Sequence, residues 1–344
     1  MRIAVTGATG NVGTSLLDAL ERDPQVESVV GVARRQPGPE ASGRWAKATW
    51  VEADVAEGDG LTEAFRGADA VVHLAWLIQP SHRVDVLWKA NVVGSRRVLE
   101  AVAAAGVPAL VHASSVGAYS PGPKEPVDES WPTDGIATSP YSWQKAYVER
   151  LLDVFERDWP EVRVVRLRPG LMLKGEAATG VRRLFLGPLL PNRVLPQQLA
   201  TAIRKAPARF QVLHADDGGE AFHLACVRDV RGPFNLAAEP VLGSQDRNRP
   251  FLAAARGAAR AAWALHLQPA DPGWVDLVQH TPLLDTTRAR TELGWMPAHT
   301  ADEAVDDLVA GLRGGDTAET PPLAAETSGP ARSHELATGI GQRP

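Results

Sequence analysis

Residues 6 to 13 read T-G-A-T-G-N-V-G, set between a strand-like R-I-A-V and the start of a helix-like V-G-T-S-L-L-D-A-L. Few other segments restrict a fold so strongly, because each of Gly7, Gly10 and Gly13 answers a separate steric demand. A tight strand-to-helix turn needs positive φ, an incoming pyrophosphate must meet bare backbone, and the helix must pack closely on the strand while its N-terminal amides face the anion. Thr9, Asn11 and Val12 complete the turn and open the helix. Strand, turn, helix and second strand follow in order within about 30 residues, as a dinucleotide-binding unit requires.

The first half of the chain alternates short apolar runs with helical periodicity. That pattern predicts strands at 3–6, 29–33, 50–52, 70–74, 109–112 and 162–167, with helices at 12–21, 61–65, 84–105 and 141–157. Six such strands joined by right-handed crossovers make an α/β fold, a doubly wound parallel Rossmann sheet. Residues 1–170 are read as the nucleotide-binding domain, and 208–238 return to it through a strand at 210–214, a helix at 219–228 and a strand near 234–237. A smaller, mainly C-terminal substrate-binding part is expected from 171–207 and 239–313, with helices at 250–267 and 301–312. The segment 314–344, poor in bulky residues, is expected to be a disordered tail.

Charge and composition narrow the functional class. A net charge of −5 and a pI near 6.0, with no basic patch carrying interleaved aromatics, disfavour nucleic acid as a partner. The nine histidines are scattered and the single cysteine, Cys226, lies in an apolar stretch, so no metal site is indicated and a reducing compartment fits. Apolar runs are short and broken by Gly, Pro or charge, and the chain enters a strand directly, so neither a membrane span nor a signal peptide is read and a cytoplasmic location is expected.

Three further loops converge on the expected cofactor. At the end of the second strand, about 20 residues past the glycines, an NAD site places an acid on the ribose hydroxyls. Here Arg34 and Arg35 stand instead, and two guanidinium groups suit the 2′-phosphate of NADP, so NADP(H) is the expected cofactor, with NAD(H) as the alternative. Asp54, with Val55 beside it, follows the third strand where a carboxylate could accept from the adenine amino group. His73, Leu74 and Ala75 follow the fourth, where they would line the cofactor or simply end the strand.

Tyr141 and Lys145, four residues apart in S-P-Y-S-W-Q-K, leave one face of a predicted helix. An ammonium a few ångströms from a phenol stabilises the phenolate, which makes the pair a candidate general acid/base. With the glycine loop, Asp54, H-L-A at 73–75, Ser114-Ser115 and Y-S-W-Q-K in this order, the chain resembles the extended short-chain dehydrogenase/reductase family, its NAD(P)-dependent epimerase/dehydratase-like branch. The resemblance covers about residues 1 to 313 and extends to N-V-V-G-S-R-R-V-L-E-A-V at 91–102, R-L-R-P-G at 166–170, V-L-H-A-D-D at 212–217 and L-D-T-T-R-A-R-T-E-L-G-W-M-P at 284–297. It implies that Ser115, rather than Ser114, hydrogen-bonds the substrate oxygen, that Tyr141 transfers the proton, that Lys145 also holds the nicotinamide ribose, that Asn91 supports the lysine through water, and that Pro169 borders the cofactor.

The implied activity is an NADP(H)-dependent oxidoreductase moving hydride between nicotinamide and a carbonyl or secondary alcohol of a small-molecule substrate. A nucleotide-sugar epimerase or dehydratase is the alternative, and a non-catalytic dinucleotide-binding protein a second. The sixth strand lacks the asparagine that sugar-nucleotide members often carry after it, and Arg209 lies one position further from His214 than their diphosphate arginine. Apolar residues Leu184, Phe185, Leu189 and Leu190, with Trp76, Trp131 and Trp143 near the expected strand ends, suit a hydrophobic substrate or form a core of their own, while Arg182 and Arg183 would meet a diphosphate. The resemblance also implies a possible homodimer through the helices at 84–105 and 141–157.

Overall fold

The glycine turn forms at the head of the chain: β1 (Arg2–Thr6) runs into Gly7, at φ +73°, and α1 (Asn11–Arg22) starts after its N-cap Gly10. The structure, a computed structural model, describes residues 1–39, 43–79, 81–186, 196–244, 249–316 and 318–324. The chain continues through β2 (Ser28–Ala33), β3 (Ala48–Glu52), α2 (Leu61–Phe65), β4 (Ala70–His73), α3 (Val84–Trp88), a π-helical turn (Lys89–Val93), α4 (Gly94–Ala105) and β5 (Ala109–Ala113). Then come β6 (Pro126–Val127), the long α5 (Pro140–Asp158), β7 (Arg163–Pro169), β8 (Leu171–Leu173), α6 (Ala178–Val181), a second π-helical turn (Arg182–Leu186) and α7 (Pro196–Arg204). The last elements are β9 (Val212–His214), α8 (Ala215–Val227), β10 (Gly232–Leu236), α9 (Arg249–Ala264), α10 (Gly273–His280), β11 (Leu283–Leu284), α11 (Thr287–Thr291) and α12 (Ala301–Gly314).

Seven strands make one parallel sheet in the order β3-β2-β1-β4-β5-β7-β10, the doubly wound Rossmann arrangement expected from the alternation. Both faces are covered, so alternate residues of each strand enter different cores. Ile3, Val5, Val72 and Val111 pack with Leu16 and Leu20 of α1 and Phe222 of α8. Ala4, Val71 and Leu110 pack on the other side with Phe65, Val98, Val102, Val148 and Leu152. The strand order reverses between β1 and β4, and the crevice above their C-terminal ends is where such sheets bind ligands.

Several boundaries differ from the sequence reading for identifiable reasons. The single helix expected at 84–105 is broken by the π-helical turn around Asn91. The strand expected at 210–214 is not in the main sheet: β9 pairs with β8, because the chain leaves β7 at Gly170, where a Cβ would stand 2.5 Å from the Gln211 carbonyl oxygen. α8 begins at Ala215, four residues early, because the His214 side chain caps it and Asp216 and Asp217 fill its first turn. Gly219, inside this helix, marks a close crossing, since a Cβ on it would lie 2.6 Å from the Ser15 carbonyl carbon of α1. Of the segment expected to be disordered, Thr320 and Leu323 are buried and the Pro322 carbonyl accepts from Arg183, while residues 325–344 lie outside the described residues. Cys226 is a core residue whose thiol burial pushes up to about 12.

Candidate active site

The glycine turn is sterically saturated. A Cβ on Gly7 would lie 2.7 Å from the Ala75 nitrogen, and one on Gly13 would lie 2.4 Å from the Gly7 carbonyl oxygen. The loops after β1 and β4 therefore touch through bare backbone, and no side chain fits between them. α1 has no side-chain cap and no acidic residue in its first turn, so its N-terminal amides and positive end of the dipole face the crevice. Asn11 sends Nδ2 to the Met172 carbonyl at 3.3 Å, while its Oδ1 is buried without a partner among the described residues. Thr9 is buried in the turn, and Val12 packs partly against the core. Such a cradle fits the pyrophosphate of a dinucleotide.

The flanking loops vary in what they present. Arg34 and Arg35, both partly buried, follow β2 directly, and desolvation lowers the Arg35 pKa. Asp54 Oδ1 accepts from the Ala56 amide at 2.8 Å, and Val55 is buried against Gly94. Leu74 donates its amide to Thr6, and Leu74 and Ala75 lie half-buried beside Gly7. His73 is held between Thr6 Oγ1 (2.7 Å) and Ser95 Oγ (2.9 Å), with its pKa pushed down to about 3 by burial and by the Lys145 charge, so it fastens β1 to α4. Pro169 is buried at the end of β7, in register with Leu236.

Ser115, Tyr141 and Lys145 come together at the end of β5. Ser139 caps α5 and Pro140 occupies its first position, which sets Tyr141 in the first turn and Lys145 in the next, on one face. The Tyr141 ring lies on Gly117, whose Cβ would be 2.8 Å from Cε1. Ser115 Oγ accepts from the Gly117 amide at 2.9 Å and also hydrogen-bonds the Tyr141 phenol. Ser114 points the other way, donating to Glu149 at 2.5 Å. Lys145 Nζ donates to the Ala113 carbonyl at 2.7 Å and lies 5.8 Å from the Tyr141 ring centroid.

The electrostatics differ from the simple picture of a cation lowering a phenol pKa. Burial raises the Tyr141 pKa, with the Ser115 hydrogen bond opposing, and burial lowers Lys145 to about 7, with Glu149 opposing. Desolvation dominates both groups, so the phenol is held protonated and the ammonium titrates near neutrality.

One part of the site was not read from the sequence. Glu149, one turn past Lys145 and fully buried, receives a fork from Arg168 (Nε 2.9 Å, Nη2 3.0 Å) and Nη1 of Arg166 at 2.9 Å. These guanidinium groups carry its pKa to about 2 against the cost of burial. The signal was R-L-R at 166–168, two arginines two apart in a central strand and so on one face. Asn91, expected to support Lys145 through water, accepts from the Leu77 amide (2.6 Å), and its Nδ2 donates to the Leu77 carbonyl (2.8 Å) and to Gln144 (2.8 Å). It thus clamps the loop after β4 to α5.

Aromatic rings wall the phenol. Trp76 meets Tyr141 at 6.0 Å, Trp274 of α10 lies 4.7 Å from it, and Phe185 packs on Trp274 at 4.9 Å, edge to face. Leu189 and Leu190 lie outside the described residues. Trp131 bonds the Ser120 carbonyl and packs by Tyr119, while Trp143 packs on Trp88, both away from Tyr141. Arg209 donates to the Lys124 carbonyl at 3.0 Å, and Arg182 and Arg183 are buried. Among the described residues, no cluster of three or more His, Cys, Asp or Glu could hold a metal ion, and no helix is long and apolar enough to cross a membrane.

Comparison with known proteins decides the family. Residues 3–237 match the model of the NAD dependent epimerase/dehydratase family. The chain belongs to this family. As a member of this epimerase/dehydratase family it is 30% identical over 337 residues to the UDP-glucose 4-epimerase of Mycolicibacterium smegmatis, covering 91% of the chain and 99% of that protein. It is 28% identical over 316 residues, 91% of the chain, to the uncharacterized protein Rv2047c of Mycobacterium tuberculosis, of whose own length it spans only 30%. Among solved structures it is similar to MoeE5 in complex with UDP-glucose and NAD, at 21% identity and a TM-score of 0.64 over 92% of this chain and 99% of that one. It is also similar to DesIV, a dTDP-glucose 4,6-dehydratase from Streptomyces venezuelae with NAD and TYD bound, at 20% identity and 0.66 over 91% and 97%. At these identities the structures establish the doubly wound Rossmann fold alone. The family is one of NAD-dependent epimerases and dehydratases, which are enzymes.

Proposed function

We propose that the chain reduces an apolar carbonyl, or oxidises the matching secondary alcohol, with NADP(H). The observation that carries this reading is a half-buried, protonated Tyr141 hydrogen-bonded to Ser115 and flanked by Trp76 and Trp274, with Phe185 packed on Trp274. A phenol kept neutral by desolvation is set to donate, which is the proton step of carbonyl reduction. Ser115 shares its hydroxyl with the same substrate oxygen, and the aromatic walls exclude water and receive apolar substituents. The dinucleotide, when bound, supplies or accepts the hydride. Gly7, Gly10, Gly13 and the α1 amides would hold its pyrophosphate, Asp54 and Val55 its adenine, and Leu74, Ala75 and Pro169 would border it. Lys145, on reaching its ribose, would keep a positive charge near the phenol. Arg34 and Arg35, standing where an acid would select NAD, support the phosphorylated cofactor.

A second reading, a nucleotide-sugar epimerase, is favoured by the end-to-end similarity to a UDP-glucose 4-epimerase. Incubation with NADPH, a panel of apolar ketones and aldehydes, and UDP- and dTDP-sugars separates the two. Loss of NADPH on carbonyls supports the reductase; sugar isomerisation without net redox supports the epimerase and overturns the first reading. We also propose a homodimer through α3 to α5, supported by exposed Tyr147 and Val154 on α5 and the Trp88 contacts with Trp143 and Tyr147.

A further inference from the structure

Trp76 is the third residue after β4, and its ring faces the proton-transfer pair. Lys145 Nζ lies 3.5 Å from its centroid, and the indole meets the Tyr141 ring at a 75° interplanar angle. The indole is held there by the clamp on its neighbour. Asn91 bonds both the amide and the carbonyl of Leu77, and the same side chain bonds Gln144, which precedes Lys145. Loop and helix are one hydrogen-bonded unit, so the backbones that carry the indole and the ammonium are held in register.

An ammonium over an indole face is stabilised by the ring quadrupole, most strongly where water is excluded. The site is so excluded: Lys145 is 4% exposed. The other charged and titratable groups facing it are Tyr141 and Glu149 on α5, His73 from β4 and His112 from β5, with Arg166 and Arg168 of β7 beyond Glu149. Both histidines are held neutral by burial, and Glu149 is committed to the arginines. Beside the Ala113 carbonyl, which accepts from Nζ at 2.7 Å, the indole is the nearest group that favours the ammonium's charge.

We propose that Trp76 is a positioning residue of this pair: its indole face seats the Lys145 ammonium beside Tyr141 in the desolvated site. The inference rests on the reading of Tyr141 and Lys145 as the acid/base pair, and its test is separable from that reading. Trace acetylation of Lys145 by acetic anhydride, followed by mass spectrometry across pH, reports the charge of the lysine in the full chain without turnover. The wild type should titrate near 7. Trp76→Leu should lower that midpoint by about one unit, equivalent to ~1.4 kcal/mol, whereas Trp76→Phe, which keeps an aromatic face, should stay close to wild type. In the carbonyl assay the alkaline limb of kcat should move with the midpoint and KM should change little. Equal midpoints in wild type and Trp76→Leu, or equal shifts in both variants, would overturn the proposal. Absence of carbonyl turnover in the wild type would instead remove the functional reading and leave the labelling result to decide the role of Trp76.

Discussion

Arg168→Met tests whether the buried network behind the site is what holds the end of β5 in place. The substitution removes a fork of two bonds at 2.9 and 3.0 Å from Glu149, together with bonds to Tyr119 and the Glu129 carbonyl. Breaking one side of a buried ion pair costs about 3–5 kcal/mol, because the remaining charge is stranded. Arg166 stays on Glu149 at 2.9 Å, which argues for the lower end, ~3 kcal/mol. With a denaturant slope of roughly 3 kcal/mol/M for a chain of this size, the urea midpoint should fall by about 1 M at pH 7. The pH dependence has a definite sign. The folded-state pKa of Glu149 is depressed from an ordinary 4.5 to about 2, so its contribution is complete above the unfolded value and is lost as pH falls towards 2. The gap between wild type and Arg168→Met should therefore narrow steadily below pH 5, since a protonated Glu149 needs no fork. An unchanged midpoint at pH 7, or a gap of constant size from pH 7 to pH 3, would refute the reasoning.

Two other perturbations address the cofactor cradle. Gly13→Ala places a methyl 2.4 Å from the Gly7 carbonyl oxygen and 2.5 Å from that of Ala8, so it should displace α1 from the turn and reduce dinucleotide affinity by at least tenfold, read by fluorescence titration. Arg34→Ala should weaken NADP(H) by about tenfold, the value of one charge-assisted bond, and leave NAD(H) nearly unchanged in parallel calorimetric titrations.

The fold was legible because its constraints are local. The glycine turn, the alternation of apolar strands with helices, and the T-x-x-E capping box at Thr300 and Glu303 each fix an element within a few residues. What escaped the sequence depends on contacts across long separations. Gly219 shows its steric role only once α1 is seen to press on it, and the strand at 171–173 has no partner until β9 returns some 40 residues later. The same holds in the site. Tyr141, Lys145 and Ser115 are named by motif and spacing, but the Ser114–Glu149–Arg168 chain joins three elements, and Asn91 reaches Leu77 rather than a neighbour on its own helix. Trp274 arrives from α10, more than 130 residues beyond the tyrosine it covers, so no local pattern marks it. The depressed pKa of Lys145 follows from burial, a property of the packed chain.

The central claim is that Tyr141 donates or accepts the proton at the reacting carbon. The direct measurement is turnover of Tyr141→Phe against wild type on whichever carbonyl substrate consumes NADPH, with NADP(H) affinity determined on the same preparations. Loss of the general acid should lower kcat by about 10²–10⁴-fold while the dissociation constant of the cofactor stays within a few fold. A variant that turns over at the wild-type rate would contradict the account.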